Sequence, residues 1–142
     1  MAEIRIRAMD QDEEFASWLT ELLEVNAAES ENASGFEDHY LGLTDEKGDW
    51  VGGARYYVRG GVAHLLDIAV VPEARHQGHA HRLLAAFEMR AAGEGAELAE
   101  FWTDDSRSEA LLGALGWDTV LHRPRYMGGT AWTLMEKRLS AE

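Results

Sequence analysis

The stretch Leu65-Leu66-Asp67-Ile68-Ala69-Val70-Val71-Pro72-Glu73-Ala74-Arg75-His76-Gln77-Gly78-His79-Ala80-His81-Arg82-Leu83-Leu84 changes its period half-way along. Its first part is an apolar run of strand length that stops at Pro72. A basic turn with one glycine follows. From there Ala80, Leu83, Leu84, Phe87 and Ala91 recur at helical spacing, with Gly93 as a predicted stop. The first amides of such a helix have no internal partner and carry the positive end of its dipole. Gly78 lets a ligand approach the backbone, Ala80 keeps the first turn low, and Arg75, His76, His79 and Arg82 add cationic or partly cationic groups. These features point to a phosphate-binding turn. On these residues alone, a plain strand–loop–helix junction is the alternative.

The rest of the chain is organised around this junction. Upstream, residues 50–59 and 62–71 alternate apolar and polar positions and are joined by Gly60-Gly61, a two-residue hairpin connection that favours positive φ at both positions. Residues 39–44 precede them across a turn at 45–48, and residues 29–36 (ESENASGF) read as a loop or short irregular helix. Earlier still, Phe15, Trp18, Leu19, Leu22 and Leu23 line an amphipathic helix with Asp10 as its predicted N-cap. Residues 3–8 (EIRIRA) alternate like a half-buried strand. Downstream, residues 96–102 read as a strand. Ser108, Leu111, Leu112 and Leu115 line a short helix closed by Gly116, and residues 117–122 and 130–139 read as the last strands. The order is β-α-(α)-β-β-β-α-β-α-β-β. A strand–helix–strand crossover beside hairpins predicts an α/β fold with a mixed sheet, in one domain spanning residues 1–142.

Composition narrows the function. Thirteen Lys+Arg against 26 Asp+Glu give a net charge of −13, which repels phosphate backbones and disfavours nucleic-acid binding. The same field attracts a cationic small molecule or a basic peptide, although an acidic surface also serves solubility alone. The chain has no cysteine, which excludes disulfides, thiolate metal sites and a thiol nucleophile. The N-terminus lacks the apolar core of a signal peptide, and no apolar run approaches a membrane span, so a cytoplasmic location is expected.

The string Val70-x-Pro72-x-x-Arg75-x-x-Gly78-x-Ala80 resembles the acetyl-CoA signature of the GNAT N-acetyltransferase superfamily. Residues 65–72 are similar to the strand that precedes it there, and Gly116-Trp117 is similar to the Gly-aromatic pair after that family's last helix. The predicted element order over all 142 residues also matches. The resemblance implies a GNAT-like acyl-CoA N-acyltransferase fold and transfer of an acetyl group from acetyl-CoA to a primary amine. It implies that backbone amides of His76, Gln77, Gly78, His79 and Ala80, with Arg75, hold the pyrophosphate. Backbone groups of Ala69 and Val70, near a bulge in the strand, would pair with the pantetheine arm. The thioester would lie in a V-shaped opening between this strand and the parallel one at residues 96–102, where an amide near Val70 would polarise its carbonyl. The amine attacks directly, without a covalent enzyme intermediate.

That attack needs a neutral amine. Deprotonating an alkylammonium of pKa about 10.4 near pH 7 costs roughly 4–5 kcal/mol, which a positioned base offsets. His64 and Asp67 are the candidates. His64 lies eleven residues before Arg75, where some members of the family carry a carboxylate, and Tyr57 is its predicted cross-strand neighbour. One departure bears on mechanism. Leu112 stands where many members carry the tyrosine that protonates the leaving thiolate, and Asp105 where an asparagine is common. Protonation then falls to water, Ser108 or Tyr126, and a catalytically inactive CoA-binding module of the same fold is the alternative function. His76, His79 and His81 straddle a loop–helix junction without a second ligand cluster, so no metal is expected. Tyr56, Tyr57, Trp102 and Trp117 could line an acceptor pocket, but aromatic residues in strands are usually core. Arg123-Pro124-Arg125-Tyr126, by the resemblance, borders the acceptor site or a homodimer contact, or is a surface loop. The expected partner is a small-molecule or peptide amine, with no nucleic acid and no membrane.

Overall fold

The computed structural model describes residues 4–28 and 38–139. Chain contacts divide it into two compact units, Met1–Gly35 and Phe36–Glu142. In the first, helix α1 spans Glu13–Ala28. Asp12 caps it, with Oδ1 accepting from the Phe15 amide at 2.9 Å, so the cap lies two residues beyond the predicted Asp10. Glu13 and Glu14 place negative charge at the positive end of the helix dipole.

The predicted strand at residues 3–8 needs correction. Residues 4–8 join no strand, and Ile4 and Ile6 are 97% and 98% exposed. Alternation dictates which face a strand would bury, but a strand exists only against a partner, which alternation does not supply. Residue 3 and the loop predicted at 29–36 lie outside the described residues.

The second unit is built on one sheet. Its strands are β1 (Asp38–Thr44), β2 (Trp50–Arg59), β3 (Val62–Val70), β4 (Leu98–Thr103), β5 (Asp118–Arg123) and β6 (Trp132–Arg138), in the order β1-β2-β3-β4-β6-β5. Helix α2 (His79–Gly93) crosses from β3 to β4, which pair in parallel, and α3 (Ser106–Ala114) links β4 to β5. All other pairs are antiparallel. Gly60 and Gly61, at φ 58° and 81°, make the β2–β3 turn that the sequence predicts. The predicted stop of α2 shifts by two residues: Gly93 is still helical, and Gly95 at φ 92° reverses the chain.

The core lies between the sheet and its two helices. Leu84, Phe87 and Ala91 of α2 and Leu112 of α3 join Tyr56, Ala63, Leu65, Ala99, Trp117 and Met135 in one buried cluster. Phe87 is fully buried and meets Tyr56 edge-on at 5.0 Å and Trp117 at 6.4 Å. The Tyr56 hydroxyl reaches out of this cluster to Glu94 Oε1 at 2.7 Å. Burial first, then the adjacent Glu94 carboxylate, raises the hydroxyl pKa. Trp117 and Lys137 both reach Glu88, at 3.3 and 2.8 Å, and Lys137 also donates to the Leu115 carbonyl near the end of α3. Among the described residues no helix is long and apolar enough to cross a membrane.

Two irregularities of β3 position the site. Its register against β2 slips between Arg55 and Tyr56, leaving Leu66 as an extra residue. Its pairing with β4 ends at Leu65 and Phe101, and no ladder joins the two strands beyond them.

Candidate active site

Where β3 and β4 cease to pair, a cleft of about 660 Å³ opens on the helix side of the sheet. Its apolar floor is Phe101, Leu84, Leu111 and Leu112. One wall is the end of β3 with the turn into α2, and the other is the start of α3 with Asp105, Arg107 and Ser108. Ala69, Val70, Arg75, His76, Gly78, His79 and Ala80 all line it; Gln77 does not.

The turn folds this way for local reasons. Pro72 opens a short 3-10 turn, Pro72–Ala74, that buries Ala74. His76 then adopts φ 64° and Gly78 φ 81°, two left-handed residues that swing the chain into the helix. Glycine takes that conformation freely, while histidine does so at a cost that the surrounding turn must offset. The Arg75 Nε donates to the Val70 carbonyl at 3.2 Å and fastens the turn to the strand. Helix α2 begins without a side-chain cap and with no acid in its first turn. Its earliest intrahelical bond is Arg82 N–H to Gly78 C=O, so the amides of the first turn point outward unpaired by the helix. Arg107, also lining the cleft, adds a second guanidinium to Arg75 on the rim, with His81 beside them, in a chain of net charge −13. Phosphate oxygens fit this arrangement.

Backbone alternation tells which β3 amides face the opening. The Val71 N–H is given to Val51 and the Gly61 carbonyl to Glu97 and Leu98, which fixes the parity on either side of the bulge. Ala69 therefore turns its backbone towards β2, where its carbonyl would lie 2.9 Å from a Cβ on Gly52. Ile68 and Val70 turn their N–H groups into the cleft. Of the pair Ala69 and Val70 expected to meet the pantetheine arm, the backbone of Val70 has this orientation and that of Ala69 does not. The bulge that the resemblance implies in this strand falls at Leu66 and sets this parity; its exact position is not legible in the residues.

The candidate bases sit on the other face of the sheet. His64 lies one rung before the end of the β3–β4 ladder, opposite Glu100, and its Nδ1 is 3.3 Å from Glu100 Oε1. Tyr57 stacks on the imidazole at 4.6 Å, the neighbour the sequence predicts. The same rung continues to Glu136 and Asp118, so three carboxylates follow His64 across β4, β6 and β5. Asp67 is tied instead to Arg55, at 3.2 Å.

Across the cleft, Leu112 is buried, at 2% exposure. Asp105 caps α3, with Oδ1 accepting from the Arg107 amide and Oδ2 from the Ser108 hydroxyl, both at 3.1 Å. The Arg107 amide bond, with Ser108 adding to it, lowers the Asp105 pKa below the usual carboxylate range. Ser108 thus borders the cleft, while Tyr126 lies against Trp102 and is not among its lining residues. Sequence reading missed Arg107, Phe101 and Leu111 as cleft residues, since only the meeting of β4 and α3 brings them there.

A family model described as the acetyltransferase (GNAT) family matches residues 4–117. Among solved structures, a candidate acetyltransferase from Agrobacterium tumefaciens aligns at 20% identity over 96% of this chain and 99% of that one, with a TM-score of 0.76. An acetyltransferase from Bacillus cereus aligns at 18% identity over 96% and 97%, with a TM-score of 0.74. The ribosomal-protein-S18-alanine N-acetyltransferase from Escherichia coli aligns at 22% identity over 77% and 74%, with a TM-score of 0.68. At these identities the likeness is one of fold. A search of curated proteins returns no match.

Proposed function

Because the chain belongs to the acetyltransferase (GNAT) family, we propose that it acts as one catalytic domain that moves an acetyl group from acetyl-CoA to a primary amine within a ternary complex. The observation that carries this reading is the cleft at the β3–β4 parting, with the uncapped start of α2, Arg75, the histidines and Arg107 around its rim. The first-turn amides and Arg75 would hold the pyrophosphate, and the Ile68 and Val70 N–H groups would meet the pantetheine arm or the thioester oxygen.

In this mechanism the acceptor ammonium first gives a proton to His64 Nε2. The Glu100 carboxylate, 3.3 Å from Nδ1, would favour the proton on that nitrogen and leave Nε2 to act as the base. The amine lone pair then forms the N–C bond at the thioester carbonyl. The tetrahedral intermediate loses its second nitrogen proton to solvent water and the C–S bond breaks. The thiolate takes a proton from water, directly or through the Ser108 hydroxyl, which solvent reprotonates. Asp67 is the weaker candidate base, because Arg55 already occupies its carboxylate. The acidic rung Glu100, Glu136 and Asp118 supports a cationic acceptor, in the cytoplasm, from the class of small amines or peptide N-termini.

Leu112, an aliphatic group where a proton donor would serve the leaving thiolate, supports a second reading, a CoA-binding module without turnover. Melting curves with and without saturating acetyl-CoA, with ATP as charge control, test the shared premise. A ligand at 100 times its Kd adds about 2.7 kcal/mol, which raises the melting point by about 5–10 °C. A shift with acetyl-CoA alone is expected; equal shifts or none overturn both readings. Thiol release on adding amine pools then separates enzyme from module.

A further inference from the structure

The face that carries His64 also holds an arginine gripped by two aromatic rings. Trp102 follows Glu100 by two residues on β4 and so shares its face, about 7 Å further along the strand. Tyr126 leans on Trp102 with ring centres 4.9 Å apart. The Arg123 guanidinium lies 4.7 Å from the Tyr126 ring centre and 5.8 Å from that of Trp102. Tyr126 is itself held by a tight turn: its N–H donates to the Thr130 carbonyl at 2.9 Å, its carbonyl accepts from Gly129 at 3.0 Å, and Trp132 Nε1 anchors the Met127 carbonyl at 2.8 Å.

The rings hold the guanidinium close but accept no conventional hydrogen bond from its N–H groups. Among the described residues no carboxylate lies within ion-pair distance of Arg123, although the chain carries 26 acids. The face is therefore dipolar: a rung of carboxylates with His64, then a ring-held guanidinium that no described residue pairs.

We propose that Arg123 reads a carboxylate on the acceptor, so that the substrate class is an amine bearing a carboxylate several bonds from the amino group. The ammonium meets His64 and the acidic rung while the carboxylate takes the guanidinium fork in paired hydrogen bonds. This rests on the acetyl-transfer reading for the fate of the amine, but not for the binding of the carboxylate.

The test compares 5-aminopentanoate with its neutral carboxamide, 5-aminopentanamide, in two assays. In turnover, the acid is expected to exceed the amide in kcat/KM by about 10- to 100-fold, the scale of one charge-assisted hydrogen bond. Arg123→Gln should bring that ratio close to one, chiefly through KM, and Arg123→Lys should restore part of it. Calorimetric titration into CoA-saturated protein reads the same discrimination without chemistry. Acid-selective binding that Arg123→Gln abolishes, with no acetyl transfer to either amine, supports the site while overturning the acetyl-transfer reading. Acetyl transfer with equal acid and amide preference, or a preference that survives Arg123→Gln, overturns the site and leaves acetyl transfer standing. Equal binding of acid and amide overturns the site whatever the turnover.

Discussion

His64 illustrates how much a single side chain owes to its neighbours. A histidine in a strand is ordinary. With Glu100 at 3.3 Å from Nδ1 and Tyr57 stacked on the ring, its orientation is constrained. His64→Ala should lower kcat by about 100-fold with the acetyl-CoA melting shift intact, since the cofactor cleft lies on the other face. Glu100→Gln should cost less, because it disturbs orientation and leaves the base in place. Steady-state kinetics of both variants, each with a melting control, check the order. Equal kcat for His64→Ala and the unaltered chain would remove His64 from the mechanism.

Among elements, α3 shows a helix whose start depends on one ionised cap. Asp105 donates no hydrogen bond through its side chain; it accepts from Arg107 N–H and Ser108 Oγ, which favours its charged form and lowers its pKa in the folded state. A depressed carboxylate stabilises the fold above its unfolded pKa, and that contribution fades as pH falls through the folded value. Asp105→Ala should therefore melt a few degrees lower at pH 7, and the gap should close as the pH is brought well below 4. A gap unchanged down to pH 2 would mean that the charge of the cap is immaterial. Helix α2 is the counterpart: its start has no such cap, and its open amides face the cleft.

Over the second unit as a whole, Phe87 joins the central strands to the last ones by touching Tyr56 on β2 and Trp117 ahead of β5. Phe87→Ala leaves a large cavity beneath α2 and should cost about 3–5 kcal/mol, read as a lower midpoint in urea with an unchanged slope. The same packing sorts the two halves of the proposed chemistry. Ala63 and Leu65 face the helices while His64 between them faces away, so the cleft for acetyl-CoA and the candidate base come from opposite faces of one strand.

Local chemistry made much of this legible. The Gly60-Gly61 turn, the apolar stripe of α2, the run of β3 into Pro72 and the basic turn at residues 75–80 each depend on neighbours in sequence, and the structure has them within a residue or two of expectation. The Tyr57–His64 pair followed from the hairpin register. Other features depend on contacts between distant segments. Residues 4–8 have the alternation of a strand but form none. The resemblance implies a bulge in β3, but its position at Leu66, which turns Ile68 rather than Ala69 into the cleft, is set by the pairing of β2 with β3. Arg107, Glu100 and the Trp102–Tyr126–Arg123 group take their places only when β4, β5 and β6 assemble. Periodicity and turn chemistry are local and determine the elements. Register, bulge and the pairing of separate strands minimise the energy of the whole sheet, and only the tertiary structure decides them.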